Sequence, residues 1–116
     1  MKENQIALKS HAFARRIVKA YQYIRKKKEY NMSDQLVRSG TSIGAMVREA
    51  EFAQSKADFI NKMSIALKEA NETCYWLDLL HYGDYLGDDI YLSLDNDIRE
   101  ITSLLVAIVK TSKENR

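Results

Sequence analysis

Basic residues are the side chains whose type and spacing most favour a chemical role in this sequence. Residues 1–30 carry nine Lys and Arg against two Glu, a local net charge of +7, whereas residues 84–116 have a local net charge of −3. This asymmetry favours a polyanionic partner such as RNA, because Lys and Arg bind phosphate groups without reading the base sequence. The residues predicted to make these contacts are Arg15, Arg16, Lys19, Arg25, Lys26, Lys27 and Lys28.

An ordinary solvated helix face is the alternative interpretation of the same residues. The run from Arg25 to Lys28 could mark a helix C-terminus, where cations offset the helix macrodipole. Tyr21 and Tyr23 lie between the basic residues and could stack on bases, although we expect at least one of them to pack in the core. The basic charge alone leaves both interpretations open.

Acidic residues, histidine and cysteine offer little for catalysis. A di-iron site in a helical bundle needs two Glu-x-x-His elements on separate helices, whereas this chain has one similar element, DLLH at residues 78–81. Glu69 and Glu72 have a helical spacing that could converge, but the necessary histidines are missing. Cys74 has no His or basic neighbour in the sequence, so we expect a small buried side chain rather than a nucleophile. We therefore predict a non-enzyme without catalytic residues, cofactor or metal.

Apolar residues recur every three or four positions along the chain, which contains no proline. This period predicts helices, and four helices with short loops form an antiparallel up-down bundle of the all-α class. At 116 residues the chain fits one domain, 1–116. The first predicted helix covers about residues 4–28. The other three begin at caps at Ser33, at Ser55 (with Asp58 in a capping box) and at Asp88 or Asp89. Gly83 is predicted to end the third helix as its C′ glycine. The predicted inward positions are Ile6, Phe13, Ile17, Ala20 and Ile24; Leu36, Gly40, Ile43, Val47 and Ala50; Phe59, Met63, Ala66, Ala70, Thr73, Leu77 and Leu80; Leu94, Ile98, Ile101, Leu105 and Ile108.

Glycines interrupt the second predicted helix in the segment RSGTSIGAMVRE, residues 38–49. Each glycine costs about 1 kcal/mol relative to Ala in a helix interior. Gly40 lies in the apolar stripe and Gly44 at its margin, so together they predict a flat strip where another helix backbone approaches closely. A phosphate-binding glycine loop is the alternative, but it requires a preceding strand and a following Lys-Ser or Lys-Thr, and neither is present.

The outer side of the third helix is unusually apolar. A helix that is apolar nearly all the way round is buried on both sides, and in a bundle of this size another copy of the chain is the simplest cover. The alternative is that these side chains lean over their own neighbours at the end of the bundle. The predicted homo-oligomer interface consists of Ile65, Tyr75, Trp76, Leu79 and Tyr82.

Gln35, Arg38, Ser42 and Glu49 form a polar ridge on the second helix. The ridge could be an ordinary solvated surface, but it is part of a recognisable sequence pattern. The ridge and its neighbours, Gln35, Leu36, Arg38, Ser39, Ser42, Ile43, Val47 and Glu49, match the pattern Q-L-x-R-S-x-x-S-I-x-x-N-I-x-E-G. With Phe59, Ala66, Leu67, Glu69, Ala70 and Leu77, they make the chain resemble the bacterial four-helix-bundle family named for reading frames in intervening sequences of 23S ribosomal RNA. The resemblance covers nearly the whole chain. Met46 stands where the family usually has Asn and Ala50 where it usually has Gly, and a proline common before the second helix is missing.

The resemblance implies an antiparallel four-helix bundle that assembles as a ring-like homopentamer. Some relatives resemble accessory proteins of diversity-generating retroelements, which associate with nucleic acid and a reverse transcriptase. The resulting expectation is a non-enzymatic oligomeric scaffold that binds structured RNA, or another polyanion, through its first helix. The alternative is a protein–protein interaction module without nucleic-acid activity.

Targeting signals are not evident in the sequence. No apolar run approaches the roughly 18 residues needed to cross a bilayer, and the charged start MKENQ does not resemble a signal peptide. Cys74, the single cysteine, cannot form an internal disulfide. We therefore expect a cytoplasmic protein with no membrane partner and no small-molecule substrate.

Overall fold

Helices make up the secondary structure of the described chain. The computed structural model describes residues 2–115, with side chains placed for residues 5–115. The four helices are α1 (Lys2–Lys26), α2 (Asn31–Glu51), α3 (Lys56–Tyr82) and α4 (Asp88–Glu114). Their number and order confirm the sequence prediction.

The helices form an antiparallel up-down bundle measuring 47 × 21 × 19 Å. α1 packs against α2 and α4, and α3 packs against the same two helices from the other side. Each pair of adjacent helices meets along a contact zone that we call a seam. The first and last helices of the chain are therefore neighbours, and the α1–α4 seam is the loosest of the bundle.

The core follows the predicted stripes with one shift. Each of the predicted inward positions on α1, α2 and α4 is buried. On α3, Phe59 was predicted to face inward but is half-buried, whereas the neighbouring Ile60 is buried. The inward position in the first turn of α3 is therefore one residue later than predicted. From Met63 onward the stripe of α3 is buried as predicted.

Close approach of α1 explains both glycines of α2. A Cβ on Gly40 would lie 2.8 Å from Cγ2 of Ile17, and a Cβ on Gly44 would lie 3.3 Å from the carbonyl oxygen of Ser10. Closer packing therefore offsets the helix propensity that glycine loses. The predicted flat strip for a neighbouring backbone is confirmed, and α1 is the helix that occupies it.

Capping differs from the prediction at two of the three helix starts. The Ser55 cap is confirmed, since its Oγ accepts a hydrogen bond from the backbone N–H of Asp58 at 3.0 Å. The Ser33 cap was wrong: Ser33 lies inside α2, and the Glu29 carboxylate instead accepts bonds from the backbone N–H groups of Met32 and Ser33, at 2.7 and 3.1 Å. α2 therefore begins before Ser33, and the side chain of Glu29, which precedes the helix, satisfies two amides of its first turn.

The start of α4 and the end of α1 also depart from the prediction. Gly87 precedes the first residue of α4, and neither Asp88 nor Asp89 caps it; both lie in its first turn, where acidic side chains favour the positive end of the macrodipole. α1 ends at Lys26 rather than near residue 28, because Lys28 adopts a left-handed φ of 64° that no helix continues through. α3 ends next to Gly83, as predicted, but Gly83 is its C-cap and not a C′ glycine; Asp84 adopts the left-handed φ, 66°.

Candidate nucleic-acid interface

Four of the seven predicted phosphate-binding residues are exposed and have no ion pair within the described residues. Arg15, Lys19 and Lys26 are spaced four and seven residues apart, so they share the outermost line of α1. Lys28 extends the line into the turn after α1. We call these four residues the free cation stripe.

The other three predicted residues are occupied by contacts within the chain. Arg16 reaches α4, where Nη1 bonds Asp97 Oδ2 at 2.6 Å and Nη2 bonds Ser93 Oγ at 2.9 Å. Lys27 Nζ donates to the carbonyl oxygen of Tyr85 at 3.3 Å and lies 4.6 Å from the centroid of the Tyr23 ring. These side chains hold the bundle together and are less available to a ligand than the free cation stripe.

Arg25 is held in the same way at the end of α1. Its Nη1 bonds Asp34 Oδ1 at 3.1 Å. Its guanidinium also lies over two tyrosine rings, 5.3 Å from the centroid of Tyr21 and 4.7 Å from that of Tyr30. Tyr21 is therefore half-buried beneath Arg25, whereas Tyr23 is 50% exposed. Of the two tyrosines considered for base stacking, Tyr23 is the more exposed, with the Lys27 ammonium over one face of its ring.

A groove of about 500 Å³ opens along the α1–α4 seam beside the free cation stripe. Tyr23 and Ile90 line it with half-exposed side chains, and Lys19 lies at its edge. The sequence patterns did not reveal this groove, because its α4 wall is made of residues about 70 positions from α1. The signal that could have indicated it is Ile90, an apolar residue outside the core stripe of α4. The lining residues are Arg16, Lys19, Ala20, Tyr23, Leu86, Ile90 and Leu94.

The polar ridge of α2 is largely exposed to solvent but also pairs with α3. Arg38 forms ion pairs with Glu72 and, at 3.3 Å, with Glu69 Oε2, and also bonds Gln35 Oε1 at 3.4 Å. Trp76 Nε1 donates to the same Glu72 carboxylate at 3.0 Å. Glu69 and Glu72 do converge, as their spacing allowed, but on a guanidinium.

Beneath that network a buried pair of hydroxyl groups joins the same two helices. Thr73 Oγ1 donates to Ser39 Oγ at 3.1 Å, and Ser39 Oγ donates its own proton to the Gln35 carbonyl at 3.0 Å. This hydrogen bond is a buried polar link between α2 and α3.

The remaining motif residues also make contacts within the bundle. Ser42 Oγ donates to the carbonyl of Arg38 at 2.6 Å. Glu49 pairs with Lys62 of α3 at 3.1 Å, and this hydrogen bond and charge raise the pKa of Lys62. The motif of α2 thus serves mainly to match α2 to α3.

The predicted oligomer interface lies on the outer face of α3, as expected. Tyr75 and Tyr82 are 58% and 86% exposed. Ile65, Trp76 and Leu79 are half-buried, because they lean toward neighbouring residues; the Tyr75 and Trp76 rings meet edge to face at 5.0 Å. The exposure of Tyr75 and Tyr82 agrees with a surface that another copy of the chain could cover. The half-buried side chains agree with the alternative, that they pack against their own neighbours.

Cys74 and the DLLH segment show no arrangement typical of catalysis. Cys74 is half-buried, and burial raises the pKa of its thiol, with the nearby Asp95 carboxylate adding to the effect. His81 stacks on Tyr91 with centroids 4.1 Å apart and contacts Asp88 at 2.7 Å, which joins the end of α3 to the start of α4.

Metal ligands and membrane spans can be checked over the same residues. Within residues 5–115, no three His, Cys, Asp or Glu side chains are grouped so as to hold a metal ion. None of the described helices has the length and apolarity required to span a bilayer.

The fold and these seams define an antiparallel four-helix bundle with a polar motif joining its second and third helices. The chain belongs to the 23S rRNA-intervening sequence protein family, whose model matches residues 2–107. It is also similar to a crystal structure of a protein of unknown function from the S23 ribosomal protein family of Bacteroides thetaiotaomicron. The two are 56% identical with a TM-score of 0.92, and the match covers 95% of this chain and 99% of the other. No curated protein matches the chain.

Proposed function

We propose that this protein is a non-enzymatic, homo-oligomeric helical scaffold that binds structured RNA through the free cation stripe. The observation that carries the proposal is that Arg15, Lys19 and Lys26 lie on one exposed line of α1 without a carboxylate partner among the described residues. Arg15 and Lys26 are separated by about 16 Å along the helix, which spans several phosphates of a nucleic-acid backbone. The family's name refers to ribosomal RNA, which makes RNA the first polyanion to test.

Replacement of Arg15, Lys19 and Lys26 by Gln should lower the affinity for RNA. The affinity that remains should depend less on salt concentration. Each lost phosphate contact lowers the slope of log K against log salt by about 0.7 to 0.9, so the triple variant should lose about 2 to 3 units of slope. Fluorescence anisotropy with a labelled RNA hairpin, repeated over a salt series, measures both quantities.

A control variant with the same change in net charge separates local contacts from general electrostatics. Replacement of Lys56, Lys110 and Lys113 by Gln removes three exposed cations outside α1, and should leave the affinity nearly unchanged. Equal losses in the two triple variants would contradict a site on α1. If the hairpin does not bind at low salt but a polyglutamate peptide does, the chain is instead an interaction module for acidic proteins.

The outer face of α3 is proposed to hold the subunits together. Tyr75 and Tyr82 are large apolar side chains whose exposure costs free energy in a monomer and is relieved when another copy covers them. Light scattering should give a mass near five times 13.4 kDa, if the pentamer implied by the family resemblance forms. Tyr75→Glu should dissociate the assembly. Phe52→Glu, at another exposed aromatic residue, should leave the assembly intact. A monomer of the unmodified protein at micromolar concentration would contradict the proposed homo-oligomer.

A further inference from the structure

The groove along the α1–α4 seam has an apolar floor and a basic edge. Ala20, Leu86 and Leu94 form the buried floor, and the half-exposed Tyr23 and Ile90 form its walls. Lys19 is both a lining residue of the groove and a member of the free cation stripe. A ligand for the groove therefore combines an apolar body with a negative charge.

One contact between α1 and α4, and one between the turn after α1 and the loop before α4, limit the length of the groove. The Arg16–Asp97 ion pair at 2.6 Å stands at one end, and the hydrogen bond from Lys27 to the Tyr85 carbonyl at 3.3 Å stands at the other. Arg16 and Lys27 are eleven residues apart, about 16 Å along α1. An added helix lying along the seam would have to cross one of these contacts, so the groove favours a compact occupant.

Charge next to the groove favours an anion at its Lys19 edge. The Asp97 carboxylate, which lies beside the groove, is already neutralised by Arg16. Lys19 has no such partner among the described residues, and Arg15 and Lys26 lie along the same line of α1. A ligand with a flat apolar ring and a phosphate can place its ring against the walls formed by Tyr23 and Ile90 and its phosphate next to Lys19.

We propose that the groove seats one unpaired nucleotide of the bound RNA, with its base against Tyr23 and Ile90 and its phosphate at Lys19. Base stacking on an exposed aromatic ring tolerates any base, because each base presents a π face. The inference rests on the proposed RNA binding and adds to it that the preferred RNA carries an extruded or looped nucleotide.

Two labelled RNA probes test the inference: a short duplex with one bulged uridine, and the same duplex without the bulge. Both present nearly the same phosphate charge to the free cation stripe. The bulged probe should bind about tenfold more tightly, a preference in the range of one base stacked on an aromatic side chain. Anisotropy at a fixed salt concentration measures the ratio of the two affinities.

Substitutions at Tyr23 assign that preference to the groove. Tyr23→Ala should abolish the preference for the bulged probe, and Tyr23→Phe should retain it. Phe52→Ala removes an exposed aromatic ring outside the groove and should also retain it. Circular dichroism establishes that each variant remains helical.

The outcomes distinguish this inference from the proposed function. If both probes bind equally and Tyr23→Ala changes nothing, while the triple Gln variant of α1 still weakens binding, the groove assignment is wrong and the RNA-binding proposal stands. If neither probe binds at low salt, both fail. A 5-iodouridine at the bulge should photocrosslink to the peptide that contains Tyr23; crosslinks confined to other peptides would overturn the assignment.

Discussion

The α2–α3 seam and the α1–α4 seam both carry ion pairs between helices, but they differ in how closely they are packed. In the α2–α3 seam, Arg38 has acceptors from two helices, and a buried hydroxyl pair lies beneath it. In the α1–α4 seam, the Lys9–Glu100 and Arg16–Asp97 ion pairs join helices that leave an open groove between them. The residues that match the family pattern therefore maintain the packing of the bundle, whereas the looser seam carries the groove, with the accessible cations on the outer line of α1 beside it.

A matched pair of isoleucines provides the largest expected contrast between the two seams. Ile43 is fully buried among α2 and its neighbours, so Ile43→Ala should lower the free energy of unfolding by about 3 kcal/mol. Ile90 is 48% exposed at the groove, so Ile90→Ala should cost less than about 1 kcal/mol. Urea denaturation at one protein concentration measures both; similar losses would mean that the α1–α4 seam is packed as tightly as the core.

Arginine replacements should give a smaller contrast. Arg38→Ala leaves Glu69, whose side chain is only 19% exposed, next to Glu72 without a cation, and should cost about 1 to 2 kcal/mol. Arg16→Ala removes one ion pair, with Asp97, whose side chain is 40% exposed, and should cost about 0.5 kcal/mol. Thermal unfolding at low and high salt compares the two, and a larger loss for Arg16→Ala would reverse the roles assigned to the seams.

Gly40→Ala tests the α1–α2 seam, where two opposing effects should leave a net loss of about 1 kcal/mol in the free energy of unfolding. The substitution gains about 1 kcal/mol of helix propensity, but places a Cβ 2.8 Å from Ile17, and overpacking typically costs 1 to 3 kcal/mol. Ala45→Gly, at an exposed position of the same helix, measures the propensity term without the contact to Ile17 and serves as the comparison. A stabilised Gly40→Ala protein would show that Ile17 moves aside readily.

Periodicity was sufficient to predict the helices, because the apolar stripes of α1 to α4 are local patterns. Caps were harder: Ser33 looked suitable, but nothing in its own position reveals that the Glu29 carboxylate takes the amides of that turn. The prediction missed the inward position in the first turn of α3 by one residue. Phe59 and Ile60 are both apolar, so the pattern alone does not decide which of them faces the core.

Contacts across the bundle could not be predicted for the basic residues. Arg15 and Arg16 look alike in the sequence, yet Arg16 meets a carboxylate 81 residues away and Arg15 does not. The same limit applies to Arg38, whose partners lie on the next helix. Sequence patterns identified a set of candidate cations, and the fold separates those that bond to other helices from those left exposed.

The position of the α1–α4 seam has a consequence for the order in which the chain folds. Its Arg16–Asp97 ion pair joins residues 81 apart in the sequence, whereas the hydroxyl pair between α2 and α3 joins residues 34 apart and the Arg25–Asp34 pair joins residues 9 apart. Closing the longer loop costs about 0.6 kcal/mol more for each doubling of length, and distant contacts form late. The three hairpins of consecutive helices are therefore suited to form before the α1–α4 seam closes.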